Sequence, residues 1–171
     1  MPDETPGPAR HVFVYGTLRA GGSNDIRCMR PAPAWVGHAR LHGTMHDLGA
    51  YPGAVLAGEG ELVGEVWRIG PALEAALDRL EGVRPDGSGE YLRRECDVAV
   101  HPDAVLRCLV YEIHPARIAG APVVPGGDWL AHLRRAPVGG ATPPAGPAAP
   151  DRPAADAGPG CAGCAPASGR S

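Results

Sequence analysis

The feature that most limits this chain is the way its apolar residues are rationed. They come in short β-branched and aromatic runs, each stopped by a glycine or a turn. His11–Tyr15 (HVFVY) ends at Gly16, and Trp35–Leu41 and Leu62–Ile69 are interrupted by Gly37 and Gly64, which mark bulges or close packing. Leu92, Cys96, Val98 and Val100 alternate with Tyr91, Glu95, Asp97 and Ala99, the pattern of a half-buried strand. Arg107–Ile113 (RCLVYEI) follows a His-Pro-Asp turn. Many short strands at close spacing predict an α+β fold built on a small mixed β-barrel or strongly bent sheet, carrying two or three short helices.

Two helices interrupt the strands. Ser23 and Asn24 predict the cap of a short one running to about Met29. The second starts at Gly70-Pro71 and stops at Gly82, and Leu73, Ala76, Leu77 and Leu80 form its buried stripe at i, i+3, i+4, i+7.

Composition sets the boundaries. From Ala141 to Ser171, 22 of 31 residues are Ala, Gly or Pro, and none is Val, Leu, Ile or aromatic. Such a segment buries too little apolar surface to offset its ordering entropy. The expected organisation is a disordered tail over 1–10, a working domain over 11–136 and a disordered tail over 137–171. A formal charge of −3 offers no basic surface to nucleic acid or an anionic membrane. No apolar run approaches the length of a membrane span, and Met1–Arg10 lacks the apolar core of a secretory signal, so the expected location is the cytoplasm. All 16 basic residues are Arg, which removes Schiff-base, P-loop and Ser–Lys chemistry.

Two local features could carry chemistry. Glu81 is the last residue before the Gly82 stop, about 80° from Leu73 and 40° from Leu77 on the rim of the apolar stripe. The negative end of the helix dipole and partial burial both disfavour its ionised form, which suits a general acid–base residue. A surface glutamate at a frayed helix end fits the same local pattern. Tyr15-Gly16-Thr17-Leu18-Arg19 runs directly out of the first strand, where consecutive backbone N–H groups can hold a carboxylate or an oxyanion. An ordinary turn before a short helix fits equally well.

Seven strings in order resemble the γ-glutamylcyclotransferase family, including its AIG2-like relatives. They are Val14-Tyr15-Gly16-Thr17-Leu18-Arg19, Tyr51-Pro52-Gly53, Val63-Gly64-Glu65-Val66-Trp67 and Leu77-Asp78-Arg79-Leu80-Glu81-Gly82. Tyr91-Leu92-Arg93-Arg94, Val110-Tyr111 and Gly126-Gly127-Asp128-Trp129 complete the set, which spans roughly His11 to Leu130. The resemblance implies a cofactor-independent lyase-type cyclotransferase, with no metal. The α-amine of a γ-glutamyl amide would attack its own γ-carbonyl, releasing 5-oxoproline and a free amine. By the same resemblance, Glu81 would act as the acid–base residue. Amides around Tyr15, Gly16, Thr17 and Leu18 would hold the glutamyl end, and Tyr51, Pro52 and Tyr91 would shape the pocket. Tyr91 also fits a strand-edge tyrosine with an exposed hydroxyl. Arg19 suits either attraction of an anionic substrate or simple solvation, and Asp78 is expected to face water. The partner is a small γ-glutamyl compound: an amine, a dipeptide or a protected biosynthetic intermediate. Two rivals stay open, a non-catalytic module binding a small carboxylate and a hydrolase that uses water.

Other patterns are set aside. His38, His42 and His46 recur every four residues, but the region reads as extended and no Cys or carboxylate cluster completes a metal site. Cys161 and Cys164 form a lone CxxC in the expected tail, an incidental thiol pair. Cys28, Cys96 and Cys108 are expected in the core as reduced thiols.

Overall fold

The computed structural model describes residues 8–135. Five strands close into a mixed barrel in the order β1-β5-β2-β6-β7: β1 (Arg10–Val14), β2 (Ala34–His42), β5 (Glu61–Ile69), β6 (Tyr91–Val100) and β7 (Ala104–Ile113). Every pairing is antiparallel except β1 with β7, which run parallel and seal the barrel. A separate two-stranded ribbon, β3 (Thr44–Asp47) with β4 (Pro52–Val55), accompanies it. Two helices complete the fold, α1 (Pro71–Leu80) and α2 (Trp129–Arg135).

Alternation along the strands makes two cores rather than one. Phe13, Tyr15, Ala39, Leu62, Val66, Val98, Val100, Cys108 and Val110 form one cluster drawn from all five barrel strands, joined by Met45, Val124 and Trp129. Their neighbours in sequence, Val12, Val14, Trp67, Ile69, Leu109, Tyr111 and Ile113, face the other way and pack with Leu73 and Leu77 of α1. A strand whose two faces are both buried cannot show a clean apolar–polar alternation. β6 keeps exposed residues along its length, but at its first residue the outer face is covered as well, and Tyr91, expected on the polar face, is 4 % exposed and belongs to the second cluster.

The two interrupting glycines have different reasons. The register of β2 against β5 shifts between Trp35 and Gly37, a bulge. At Gly64 the cause is close packing: a Cβ there would sit 2.7 Å from the Phe13 ring.

Several sequence expectations need correction. The segment after Ser23 and Asn24 is a 3₁₀ turn, Ile26–Cys28, capped by Asp25, whose carboxylate accepts from the Arg27 amide. Cys28 is exposed, because that single turn buries only Ile26, while Cys108 is buried as expected. The first strand starts at Arg10, β7 starts three residues before Arg107, and β3, β4 and α2 were not anticipated. His38 and His42 lie in β2 and His46 in β3, as extended residues; His38 packs edge-on against Trp35. The two expected tails and the Cys161/Cys164 pair fall outside the described residues, apart from Pro8 to Arg10. Among the described residues no helix is long and apolar enough to cross a membrane.

Candidate active site

Glu81 owes its position to the way α1 ends. The Val83 amide donates to the Asp78 carbonyl at 3.0 Å and the Gly82 amide to the Arg79 carbonyl at 3.2 Å, the paired bonds of a Schellman motif. Gly82 takes φ +63°, a left-handed conformation that a side chain resists. This tight stop leaves Glu81 as the helix C-cap, 9 % exposed, and turns the chain back into the loop that reaches Glu90. That loop is pinned: the Glu90 amide donates to the Gly82 carbonyl at 3.2 Å, and the His114 amide donates to the Glu90 carbonyl at 2.9 Å. A frayed surface glutamate is therefore not what the helix end presents.

Three buried tyrosines surround this end of the helix. Tyr15 donates its hydroxyl to the Tyr111 carbonyl at 2.5 Å and accepts from the Ala54 amide at 3.3 Å. Tyr91 donates to the Pro52 carbonyl at 2.7 Å, and Tyr111 to the Asp78 carboxylate at 2.8 Å. All three phenols are held far above their ordinary ionisation range. Burial is the main cause in each, and the negative field of Glu81 adds to it in each. At Tyr91 the field of Tyr15 comes next after burial, ahead of Glu81, Glu90 and Tyr51. At Tyr111 the Asp78 bond and charge come next, opposed by Arg93. One carboxylate thus raises the ionisation range of hydroxyls from β1's end, β6 and β7 together.

The glycine turn follows directly on β1. Gly16 packs so tightly on Pro52 that a Cβ would meet the proline Cγ at 2.6 Å, so only glycine allows the turn to sit against β4. Thr17 and Leu18 offer their carbonyls to the Asn24 and Ile26 amides, and the Gly16 carbonyl accepts from Arg19. Among the described residues no protein acceptor takes the amide N–H of Gly16, Thr17 or Leu18. Three successive donors without partners, in a turn whose first residue is buried, form the kind of concavity that receives an anionic oxygen.

Of the residues singled out in the sequence, Tyr15, Gly16, Pro52, Glu81 and Tyr91 converge here. The Tyr91 hydroxyl is buried and bonded, not exposed at a strand edge. Tyr51 is half-buried, and its hydroxyl donates to the Glu90 carboxylate. Two expectations fail. Arg19 is 8 % exposed and ion-paired to Asp128 at 2.8 Å and Glu65 at 3.5 Å, so it is neither solvated nor open to an incoming anion. Asp78 is only part-exposed and not simply solvated: it holds both the Tyr111 hydroxyl and, at 2.6 Å, the Arg93 guanidinium. Long-range partners from β6 and β7 claim it, and its helix alone could not reveal them.

Glu65, Glu90 and Asp128 lay inside or beside the quoted strings without an assigned role. Glu65 left a readable trace, since a carboxylate amid the apolar run Leu62–Ile69 must be satisfied wherever it is buried. Glu90 and Asp128 left none, because a polar residue in a glycine-rich loop is unremarkable.

Residues 12–131 match the family model for γ-glutamyl cyclotransferase, AIG2-like proteins. The chain is 35 % identical over 126 residues to the γ-glutamylcyclotransferase family protein YtfP of Escherichia coli K12, covering 70 % of this chain and 95 % of that one. An AIG2-like protein of Mus musculus shares the fold with a TM-score of 0.57 at 24 % identity, over 70 % of this chain and 88 % of that one. YkqA of Bacillus subtilis gives the same TM-score at 23 % identity, over 74 % of this chain but only 41 % of the longer one. With its closed mixed barrel, two helices and matching strings in order, the chain belongs to the γ-glutamyl cyclotransferase, AIG2-like family.

Proposed function

We propose that this protein converts a γ-glutamyl amide into 5-oxoproline and a free amine, with Glu81 as the residue that moves the proton. The observation that carries this reading is the burial of Glu81 at the end of α1, within electrostatic reach of the Tyr15 hydroxyl at the root of the glycine turn. The open amides of Gly16, Thr17 and Leu18 receive an oxygen of the glutamyl end, joined by the Tyr15 backbone, while Tyr51 and Tyr91 flank it. Glu81 takes a proton from the substrate α-ammonium. The freed amine attacks the γ-carbonyl, a C–N bond closes the five-membered ring, and the bond to the leaving amine breaks. Glu81 then returns its proton to that amine, and the second proton shed by the ring nitrogen follows to it, so the lactam keeps one N–H and the amine departs as an ammonium.

The nucleophile and electrophile belong to one molecule, so the protein has to fold the substrate and move protons from the α-nitrogen to the leaving amine. Orientation of this kind is worth up to about 7–11 kcal/mol in well-aligned intramolecular reactions. The three tyrosines stay neutral under such conditions, which leaves the carboxylate to carry the charge change. The leaving amine lies toward the 82–90 loop. We place the activity in the cytoplasm, in keeping with the free thiols Cys96 and Cys108.

The test is incubation with γ-glutamyl amines and dipeptides, followed by identification of the products. 5-Oxoproline supports the cyclotransferase. Glutamate in its place makes the protein a hydrolase, and neither product from a broad panel leaves a carboxylate-binding module.

A further inference from the structure

We infer that Glu65 is a positioning residue for the glycine turn, and that it works as one end of a three-residue clamp with Arg19 and Asp128. The inference rests on the cyclotransferase reading, since it assigns the clamp the task of keeping the substrate amides in place.

Glu65 lies in β5 and is 3 % exposed. Its Oε2 accepts from the Ala20 amide at 3.0 Å and from the Trp67 indole at 3.2 Å, and its Oε1 sits 3.5 Å from the Arg19 Nε. The Arg19 Nε is buried and makes no hydrogen bond, so charge alone ties it to Glu65. On its other side the guanidinium donates to Asp128 Oδ1 at 2.8 Å, and that same oxygen accepts from the Ala131 amide in the first turn of α2. A barrel strand, the turn and the start of α2 are therefore joined through one arginine.

The division of labour within the turn gives the clamp its meaning. Arg19 and Ala20, on the outgoing limb, spend their amides and side chain on protein partners. Gly16, Thr17 and Leu18, on the incoming limb, keep theirs open among the described residues. A loop with three unspent donors, two of them on the buried residues Gly16 and Leu18, gains by collapsing onto any nearby acceptor. Anchoring the next two residues to a rigid strand opposes that collapse and keeps the open donors aimed outward. Three of the seven strings that mark this family in the sequence, VYGTLR, VGEVW and GGDW, are thus parts of one physical device.

The experiment compares wild type with Glu65→Gln and with the double variant Arg19→Gln/Glu65→Gln. The single variant keeps an acceptor for Ala20 but loses the charge opposite Arg19; the double variant leaves no buried charge unpaired. Steady-state kinetics with the best γ-glutamyl substrate should show KM raised about tenfold in both, with kcat within about threefold, because binding geometry is lost and not the proton carrier. Native-state hydrogen exchange should quicken selectively at the Arg19, Asn24 and Ile26 amides, which bond to the carbonyls of Gly16, Thr17 and Leu18. A fall in Tm with KM unchanged in both variants overturns the inference and leaves an ordinary core ion pair. Should wild type form no 5-oxoproline at all, the functional reading fails by itself, and unchanged exchange at those three amides then overturns the clamp as well.

Discussion

The two faces of the barrel wall differ in what they bury. Inside, Phe13, Leu62, Val66, Val98 and Val110 fill the space, and Tyr15 is the one residue of that cluster whose side chain carries a hydroxyl. Outside, where α1 lies against β1, β6 and β7, the apolar layer of Leu73, Leu77, Val12 and Ile113 is edged by Tyr91, Tyr111, Asp78 and Glu81. A barrel of this size has no room for substrate once its own side chains fill it. The seam between helix and wall cannot close so completely, because a cylinder laid on a curved sheet leaves a margin. Under the proposed function, the groups that handle the substrate collect there.

The sharpest test of that contrast is to change each face alone. Replacing Glu81 with Gln should cut 5-oxoproline formation about a thousandfold, within the usual range for a lost acid–base group, while the urea midpoint stays near wild type. Phe13→Ala should do the reverse. Phe13 is 1 % exposed inside the barrel, and its loss should cost about 3–5 kcal/mol in urea unfolding with turnover per folded molecule kept. If both variants lose activity and stability together, the two faces are not separable.

Alkaline titration probes the seam as a whole. Tyr15, Tyr91 and Tyr111 are all held above their ordinary value of 10.0, so their contribution is complete below pH 10, where folded and unfolded chains are both protonated. Above pH 10 the unfolded chain ionises and the native one does not. Stability should fall by about 1.4 kcal/mol per pH unit for each tyrosine, or about 4 for the three. Cys108, which burial pushes up to about 12, adds its own loss above pH 9.0. Phenolate absorbance from these tyrosines should then rise together with unfolding. A full phenolate rise near pH 10 in a protein still folded would show that the seam is wet.

Smaller effects refine the picture. Gly82→Ala meets no atom nearer than 3.6 Å, so its cost is the left-handed backbone, about 1–2 kcal/mol. Turnover should fall further than that loss of stability explains, since the Schellman stop aims Glu81. At the low end, Arg40→Ala should change stability by less than about 1 kcal/mol. Its partner Glu61 is exposed, and the pair lies on the solvent side of β2 and β5. Thermal melts of the two variants check both values.

The legible parts of this molecule were those whose cause is local. α1 was readable end to end: a Pro start, a leucine stripe at helical spacing and a glycine stop fix it without tertiary help. The strand cores around His11–Tyr15 and Leu62–Ile69 were readable from β-branched runs, and their number and spacing predicted a small barrel or a strongly bent sheet, of which the tertiary structure is the closed barrel. β3 and β4 escaped notice because four-residue strands containing His, Asp, Pro and Gly have no pattern of their own; pairing makes them strands. The cap at Asp25 was missed because three polar residues in a row could each have served.

The sequence by itself determined that residue 81 sits at a helix end beside a glycine stop, and that a glycine turn follows the first strand. Neither fact says that the two meet. What relates their surroundings is closure of the barrel between β1 and β7, which brings residues 11–13 against 108–110 and carries the Tyr111 carbonyl to the Tyr15 hydroxyl. Partners outside a residue's own element leave no periodic trace in a single chain, so Arg19, Asp78 and Glu65 took their roles only when the tertiary fold delivered the groups that bind them.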